Sequence, residues 1–181
     1  MGGVVSAQGE QGVQEEKKIF QLVCFNLADE QYAVDIAHVR EVMRVPRITH
    51  VPQMPDFTLG VINLRGSIVP VFDLRKKFGL GEKVFDDRTK LLVAEIGDAP
   101  VSFIVDEILD NIKVPASLVD PSPSVKMCIK RECIRGVARL EDRMVIILDL
   151  DKVHTDLDTC IGDAFQRQED ERGRNKWSEI G

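Results

Sequence analysis

Histidines and paired carboxylates are the side chains that most often perform acid–base chemistry in proteins. This chain of 181 residues has three histidines, His38, His50 and His154. A general base needs a partner within hydrogen-bond reach, and no spacing in the sequence selects a partner for any of the three. No serine lies in a Gly-x-Ser-x-Gly elbow that could form a nucleophilic site. These residues therefore predict no acid–base or nucleophilic site.

The four cysteines have no spacing that is typical of a zinc site. Cys128 and Cys133 are farther apart than the pair of a Cys-x-x-Cys knuckle. Cys24 lies in an apolar run, which predicts an inert core thiol. Gly79-Leu80-Gly81 is a lone Gly-x-Gly without a Walker lysine or a Rossmann context, so it predicts no phosphate cradle. We therefore expect no metal, no cofactor and no enzymatic turnover.

One hairpin, within Leu59–Gly79 (LGVINLRGSIVPVFDLRKKFG), organises the rest of the chain. Its two apolar runs, Gly60–Leu64 and Ile68–Phe72, flank a turn in which Gly66 supplies the positive φ that a tight hairpin needs. Both runs are apolar at nearly every position, which is typical of strands covered on both faces in a small closed barrel. Because Pro70 cannot donate to a strand ladder, we expect it at a sheet edge or a bulge.

The same pattern returns in GVARLEDRMVIILDLDKV, where Gly136 matches Gly60 and Asp149 matches Asp73. Farther upstream, Phe20–Pro46 resembles Lys90–Pro115 more loosely. We interpret this as an internal duplication. Two copies are too few for a solenoid, so the repeat predicts a pair of similar β-barrels.

The hairpin tip differs between the copies, since Arg65 in the first corresponds to Glu141 in the second. The fold therefore does not demand a cation at this place, and we expect one tip to have acquired a task. A set of aspartates recurs instead at matching positions, which predicts structural caps and not a catalytic dyad. The set comprises Asp35, Asp73, Asp106 and Asp149.

Composition and charge limit the classes of partner. The net charge of −6 opposes a nucleic-acid partner, which would call for a basic patch. No apolar run approaches the roughly 18 residues of a membrane span, so we expect no membrane insertion and a cytoplasmic protein. We predict a flexible arm over residues 1–18, one domain of two β-units over 19–160, with a closing helix Asp149–Ile161, and a flexible charged tail over 161–181.

The hairpin sequence GVINLRGSIVPVFDLRKKFG resembles the signature segment of CheW-type chemotaxis coupling proteins. Its Gly-x-x-Asn-Leu-Arg-Gly hairpin, followed by Pro-Val-x-Asp-Leu-Arg, is a long and specific pattern. DEQYAVDIAHVREVMRVPRITHVP upstream, SFIVDEILDNI and the closing GVARLEDRMVIILDLDKV resemble the same family. The resemblance covers about Ile19 to Leu157.

The resemblance implies an all-β fold of two SH3-like five-stranded β-barrels packed around a shared core. It also implies a non-catalytic adaptor, recruited to membrane-bound receptor arrays, that couples the cytoplasmic tips of chemoreceptors to the histidine kinase CheA. The kinase's regulatory domain has the same double-barrel fold, which implies docking of barrel to barrel. By position, Ile36, Val39 and Glu41 lie at the receptor-facing edge with Arg65 near them, and Gly60 is where a side chain would crowd this surface.

Three alternatives remain open. The adaptor could serve a non-flagellar array that controls surface motility or second-messenger synthesis. A hydrolase or transferase in a β-barrel scaffold would need a pocket with a perturbed acid or histidine. An SH3-like nucleic-acid binder is opposed by the acidic balance. Because the resemblance implies that Arg65 and Glu41 lie on the same receptor-facing edge, we also hypothesise that the two side chains approach each other.

Overall fold

A computed structural model describes residues 18–121, 123–124 and 129–178. Its strands and helices follow the two copies of the repeat in order. They are β1 (Ile19–Leu27), β2 (Glu30–Asp35), β3 (Val39–Arg44), β4 (Thr58–Leu64), β5 (Ser67–Asp73), α1 (Leu74–Lys77), β6 (Lys90–Ile96), β7 (Ala99–Val105), β8 (Glu107–Pro115), β9 (Val119–Asp120), β10 (Ile134–Arg139), β11 (Met144–Leu148) and α2 (Leu150–Ser178).

The described strands form two sheets. The six-stranded sheet has the order β8-β1-β2-β11-β10-β9, and the five-stranded sheet has the order β3-β6-β7-β5-β4. Each sheet combines the first hairpin of one copy with the later strands of the other copy. The strands of the two copies correspond: β1 and β2 to β6 and β7, β3 to β8, and β4 and β5 to β10 and β11. With this correspondence the two sheets have the same strand order, apart from the additional β9. The two sheets thus have matching strand orders and exchange strands with each other, which is what an internal duplication predicts.

The strand registers follow the same correspondence. In the five-stranded sheet Val71 of β5 lies opposite Ser102 of β7, and in the six-stranded sheet Ile147 of β11 lies opposite Ala33 of β2. Both pairings are parallel.

Pro70 pairs with Val61 of β4, next to the register shift between Thr58 and Gly60, and lies one residue before the first residue that β5 pairs with β7. Since β5 has neighbours on both sides, Pro70 is not at a sheet edge, but it lies next to an irregularity, and its missing N–H lies beyond the ladder with β7.

The difference in strand number has a small structural cause. In the six-stranded sheet, β9 pairs with β10 through Asp120 and Val137. In the five-stranded sheet the matching contact is an isolated bridge between Thr49 and Val61. We expected five strands in each unit, and the sixth strand is this same contact extended to two residues.

Apolar side chains form three clusters, because β1 and its equivalents are covered on both faces. Along β1, Leu22 and Cys24 enter a cluster inside the six-stranded sheet. The alternate residues Val23, Phe25 and Leu27 enter a larger core to which strands of both sheets contribute. A third cluster, which includes Ile62, Val71 and Val93, lies inside the five-stranded sheet. This arrangement explains why the strand sequences are apolar at nearly every position.

Three of the four recurring aspartates are caps. Asp35 accepts a hydrogen bond from the Ala37 N–H at the start of a 3₁₀ turn. Asp73 and Asp149 cap α1 and α2 in the same way. The prediction is wrong for Asp106, which instead accepts the Ala28 N–H at 2.8 Å and pairs with Arg75 at 2.6 Å.

The closing helix is longer than predicted. We expected Asp149–Ile161, whereas α2 begins at Leu150 and continues to Ser178, through most of the segment assigned to a tail. Val153 and Leu157 are buried on its inner face. Beyond Ile161 the described side chains are exposed. The arm over residues 1–18 lies, except for Lys18, outside the described residues.

Candidate functional site

The turn between β4 and β5 presents Arg65 to solvent. Leu64 lies opposite Ser67, so the loop contains only Arg65 and Gly66. Both have positive φ, +51° and +88°, which is the geometry of a type I′ hairpin turn. The Gly66 N–H donates to the side-chain oxygen Oδ1 of Asn63 at 2.9 Å. The Arg65 side chain is 77% exposed.

Arg65 pairs with Glu41, as hypothesised. Its Nη1 lies 3.1 Å from Oε1 of Glu41 and its Nη2 lies 3.1 Å from Oε2. The guanidinium therefore binds the carboxylate in a bidentate manner. Glu41 lies on β3 and Arg65 follows β4, and these are the outermost strands of the five-stranded sheet. The pair therefore joins the two edges of this sheet.

The six-stranded sheet has an equivalent ion pair. Asp110, which takes the place of Glu41 on β8, lies 2.9 Å from Nη2 of Arg143 at the turn between β10 and β11. The hydrogen bond from Arg143 holds the pKa of Asp110 below its usual value. The cation does not occupy the position of Arg65, where Glu141 stands, but lies two residues later. We missed Arg143 because the gap-free comparison matches it with Ser67, although it is the arginine of the equivalent turn.

The segment before Glu41 is partly accessible. Ile36, in the 3₁₀ turn 36–38, is 38% exposed, whereas Val39 is half-buried against the shared core. Val42 on β3 is 40% exposed and was missed by sequence reasoning. The alternation of β3, VREVMR, carries the signal that could have found it, since Glu41 and Val42 must face opposite sides. We name Ile36, Glu41 and Arg65 the docking edge.

Gly60 contributes to this region from inside. It is buried, with φ +143°, and a Cβ atom there would lie 2.0 Å from the carbonyl oxygen of Thr49. The equivalent Gly136 would bring a Cβ to 2.6 Å from Cγ1 of Val119. The expected crowding at Gly60 is therefore against backbone within the fold.

The buried charges in the described part of the chain are partnered. Asp156 on α2 contacts Lys77 at 2.7 Å and also Lys130. Burial alone would raise the pKa of Asp156, but its hydrogen bonds with these two lysines outweigh burial and lower the pKa. Arg75 binds Asp106 and the backbone oxygens of residues 80 and 81. These ion pairs tie the helices to the sheets.

Two of the potentially reactive groups in the described part of the chain are buried thiols. Burial raises the pKa of the thiols of Cys24 and Cys133 to about 11, which keeps both protonated and unreactive at neutral pH. Among the described residues no three His, Cys, Asp or Glu side chains converge as metal ligands. None of the described helices has the length and apolar character needed to cross a membrane.

Comparison with known proteins identifies the family. The family model of the CheW-like domain matches residues 21–158. The chemotaxis protein CheW of Klebsiella aerogenes is 34% identical over 74% of this chain and 80% of its own length, and that of Helicobacter pylori is 30% identical over 77% and 84%. The crystal structure of the scaffolding protein TtCheW from Thermoanaerobacter tengcongensis is similar with a TM-score of 0.69 and 36% identity, over 73% of this chain and 90% of that one. A chain with this sequence signature, two interlocked sheets and a family-model match over residues 21–158 belongs to the CheW family of chemotaxis coupling scaffolds.

Proposed function

We propose that this chain is a non-catalytic adaptor that couples the cytoplasmic tips of chemoreceptors to the CheA histidine kinase, and that the docking edge binds the receptor tip. The observation that carries this proposal is the exposed Arg65, held in a bidentate pair with Glu41 in the copy of the hairpin whose counterpart has Glu141. An arginine fixed in one geometry presents a charged group at little entropic cost.

The docking edge combines charge with apolar surface. Ile36 and Val42 are exposed apolar side chains on the segment that carries Glu41. A receptor tip is a helical hairpin in the family that this chain resembles, and a helix binds a groove through apolar anchors flanked by polar contacts. Ile36 supplies an apolar anchor, and the Glu41–Arg65 pair supplies the polar contact that fixes register. Val42 offers a second apolar side chain on the other side of β3.

The kinase partner would bind through its regulatory domain, which has the same double-barrel fold in the family. Apolar side chains stand at equivalent places on the two hairpins, Ile68 with 64% exposure and Met144 with 59%. Exposed residues of this kind support contacts between barrels. In the cell we place the protein in the cytoplasm, at receptor arrays.

The test is calorimetric titration of the full chain with a receptor signalling fragment and, separately, with the kinase's regulatory domain. We expect binding to both. Absence of binding to both fragments would contradict the adaptor function.

Charge reversal tests the docking edge in the same titration. Arg65→Glu and Glu41→Arg each leave an unpaired charge on docking, which costs about 2–5 kcal/mol and weakens receptor binding roughly 30-fold or more. The double reversal should recover part of the loss. The matched control is Glu141→Arg at the equivalent tip, which should bind normally. Unchanged affinity in both single variants would make Arg65 an ordinary solvated turn residue.

A further inference from the structure

The turn that carries Arg65 has an unfavourable backbone conformation. A non-glycine residue with φ +51° is uncommon, and the first position of a type I′ turn favours Asn, Asp or Gly. The equivalent turn of the second copy is more relaxed. There Arg139 lies opposite Met144, the Leu140 N–H donates to the carbonyl oxygen of Arg143, and no residue between Arg139 and Met144 has positive φ.

Asn63 is the side chain that holds the strained turn. Its Oδ1 accepts a hydrogen bond from the Gly66 N–H at 2.9 Å. This bond connects the end of β4 to the residue after Arg65. Asn63 lies opposite Ile68 in the same register as Arg139 opposite Met144. Arg139 binds Asp120 at 3.1 Å and so does not hold its own turn in this way. The hydrogen bond from Gly66 to Asn63, which we call the brace, and the positive φ of Arg65 therefore occur in the same copy.

We propose that Asn63 is a positioning residue for the docking edge. By holding Gly66, it keeps Arg65 in the conformation from which both guanidinium Nη atoms reach Glu41. Without the brace the two-residue loop is free to adopt other turns, and Arg65 no longer presents one geometry to a partner. This inference rests on the proposed function, since it concerns the same docking edge.

Titration of the full chain with a receptor signalling fragment tests the role. A hydrogen bond of this kind stabilises by about 1 kcal/mol, so Asn63→Ala should weaken receptor binding about fivefold. Asn63→Asp keeps an acceptor oxygen at the same place and should restore most of the affinity. The matched control is Arg139→Ala, at the position without a braced turn, which should bind like the wild type.

Two further measurements separate positioning from a general structural effect. Hydrogen exchange of the Gly66 amide should be about fivefold faster in Asn63→Ala than in the wild type. In the Asn63→Ala background, Arg65→Ala should weaken binding less than it does in the wild type, because Arg65 has already lost its geometry.

The outcomes distinguish this inference from the function on which it rests. If Arg65→Ala weakens binding and Asn63→Ala does not, the positioning role is overturned and the docking edge stands. Losses that simply add, without recovery in Asn63→Asp, also overturn the positioning role. If neither Arg65→Ala nor Asn63→Ala changes the affinity, the docking edge itself is overturned.

Discussion

The two hairpins that close the sheets start from one sequence pattern and differ in which charge they expose. In the five-stranded sheet the arginine is outside, with Arg65 77% exposed and Glu41 27% exposed. In the six-stranded sheet the acid is outside, with Arg143 25% exposed and Asp110 54% exposed. Both sheets keep an ion pair between the same two elements. The two sheets therefore share an ion pair but not the position of the cation, since Glu141 stands where the first copy has Arg65.

The interiors of the two sheets differ in side-chain size. Ala138 and Cys24 line the six-stranded sheet where Ile62 and Val93 line the five-stranded one. Arg143 is the more buried arginine, and its charge acts on the thiol of Cys24. The smaller interior side chains therefore accompany the buried arginine, and the larger ones accompany the arginine that is exposed.

The largest expected effect comes from substituting the close-packed glycine that each of the two hairpins contains. Gly60→Ala adds backbone strain and overpacking against Thr49, which together cost about 4 kcal/mol. This should lower the melting temperature by about 8–16 °C. Gly136→Ala meets the Val119 side chain at 2.6 Å and the carbonyl oxygen of Asp120 at 2.9 Å, but Gly136 lacks the positive φ of Gly60, so we expect a cost of only about 1–3 kcal/mol. Thermal melting of both variants measures the difference, and equal losses would show that the two contacts are alike.

Replacement of each arginine by alanine compares how much the two ion pairs contribute to the free energy of unfolding. Arg143→Ala loses the packing of a mostly buried stem as well as its ion pair, so we expect about 1–2 kcal/mol of destabilisation. Arg65→Ala should cost no more than about 1 kcal/mol, since the side chain is exposed. Urea denaturation of both variants is the measurement. A larger loss for Arg65→Ala would contradict the assignment of Arg143 to closure.

Acid conditions provide a smaller effect that is specific to the six-stranded sheet. Because Arg143 lowers the pKa of Asp110 in the folded state, their contribution to stability is complete above the usual value of 3.8 and is lost as the pH falls through the lower folded value. The difference in unfolding free energy between wild type and Arg143→Ala should therefore shrink below pH 4. A difference that stays constant down to low pH would show that Arg143 does not stabilise the fold through its ion pair with Asp110.

The smallest effect concerns the interior that distinguishes the sheets. Cys24→Val introduces the residue found at the matching place, Val93, and should change stability by less than about 1.5 kcal/mol. Chemical denaturation with and without the substitution measures it. A loss above about 3 kcal/mol would show that the interior of the six-stranded sheet cannot accept the packing of the other sheet.

Sequence patterns predicted the hairpins and the duplication because hydrophobic period and turn chemistry are local properties. They could not predict that β1 pairs with β8 and β2 with β11, since apolar strands do not specify which distant strand lies beside them. The extension of α2 past Ile161 was missed because exposed helix without an apolar stripe has no periodic signal. The approach of Arg65 and Glu41 was predicted from the family resemblance, whereas Asn63 and Arg143 needed the geometry of the turns.

The central claim is that the first ion pair serves docking and the second serves closure. Isothermal titration of a receptor signalling fragment into Arg65→Glu and Arg143→Glu variants, each also checked by thermal melting, tests it most directly. We predict that Arg65→Glu weakens binding at least about 30-fold with an almost unchanged melt. Arg143→Glu should lower the melting temperature and bind within about threefold of the wild type. Equal affinities for the two variants, or a greater binding loss for Arg143→Glu, would contradict the claim.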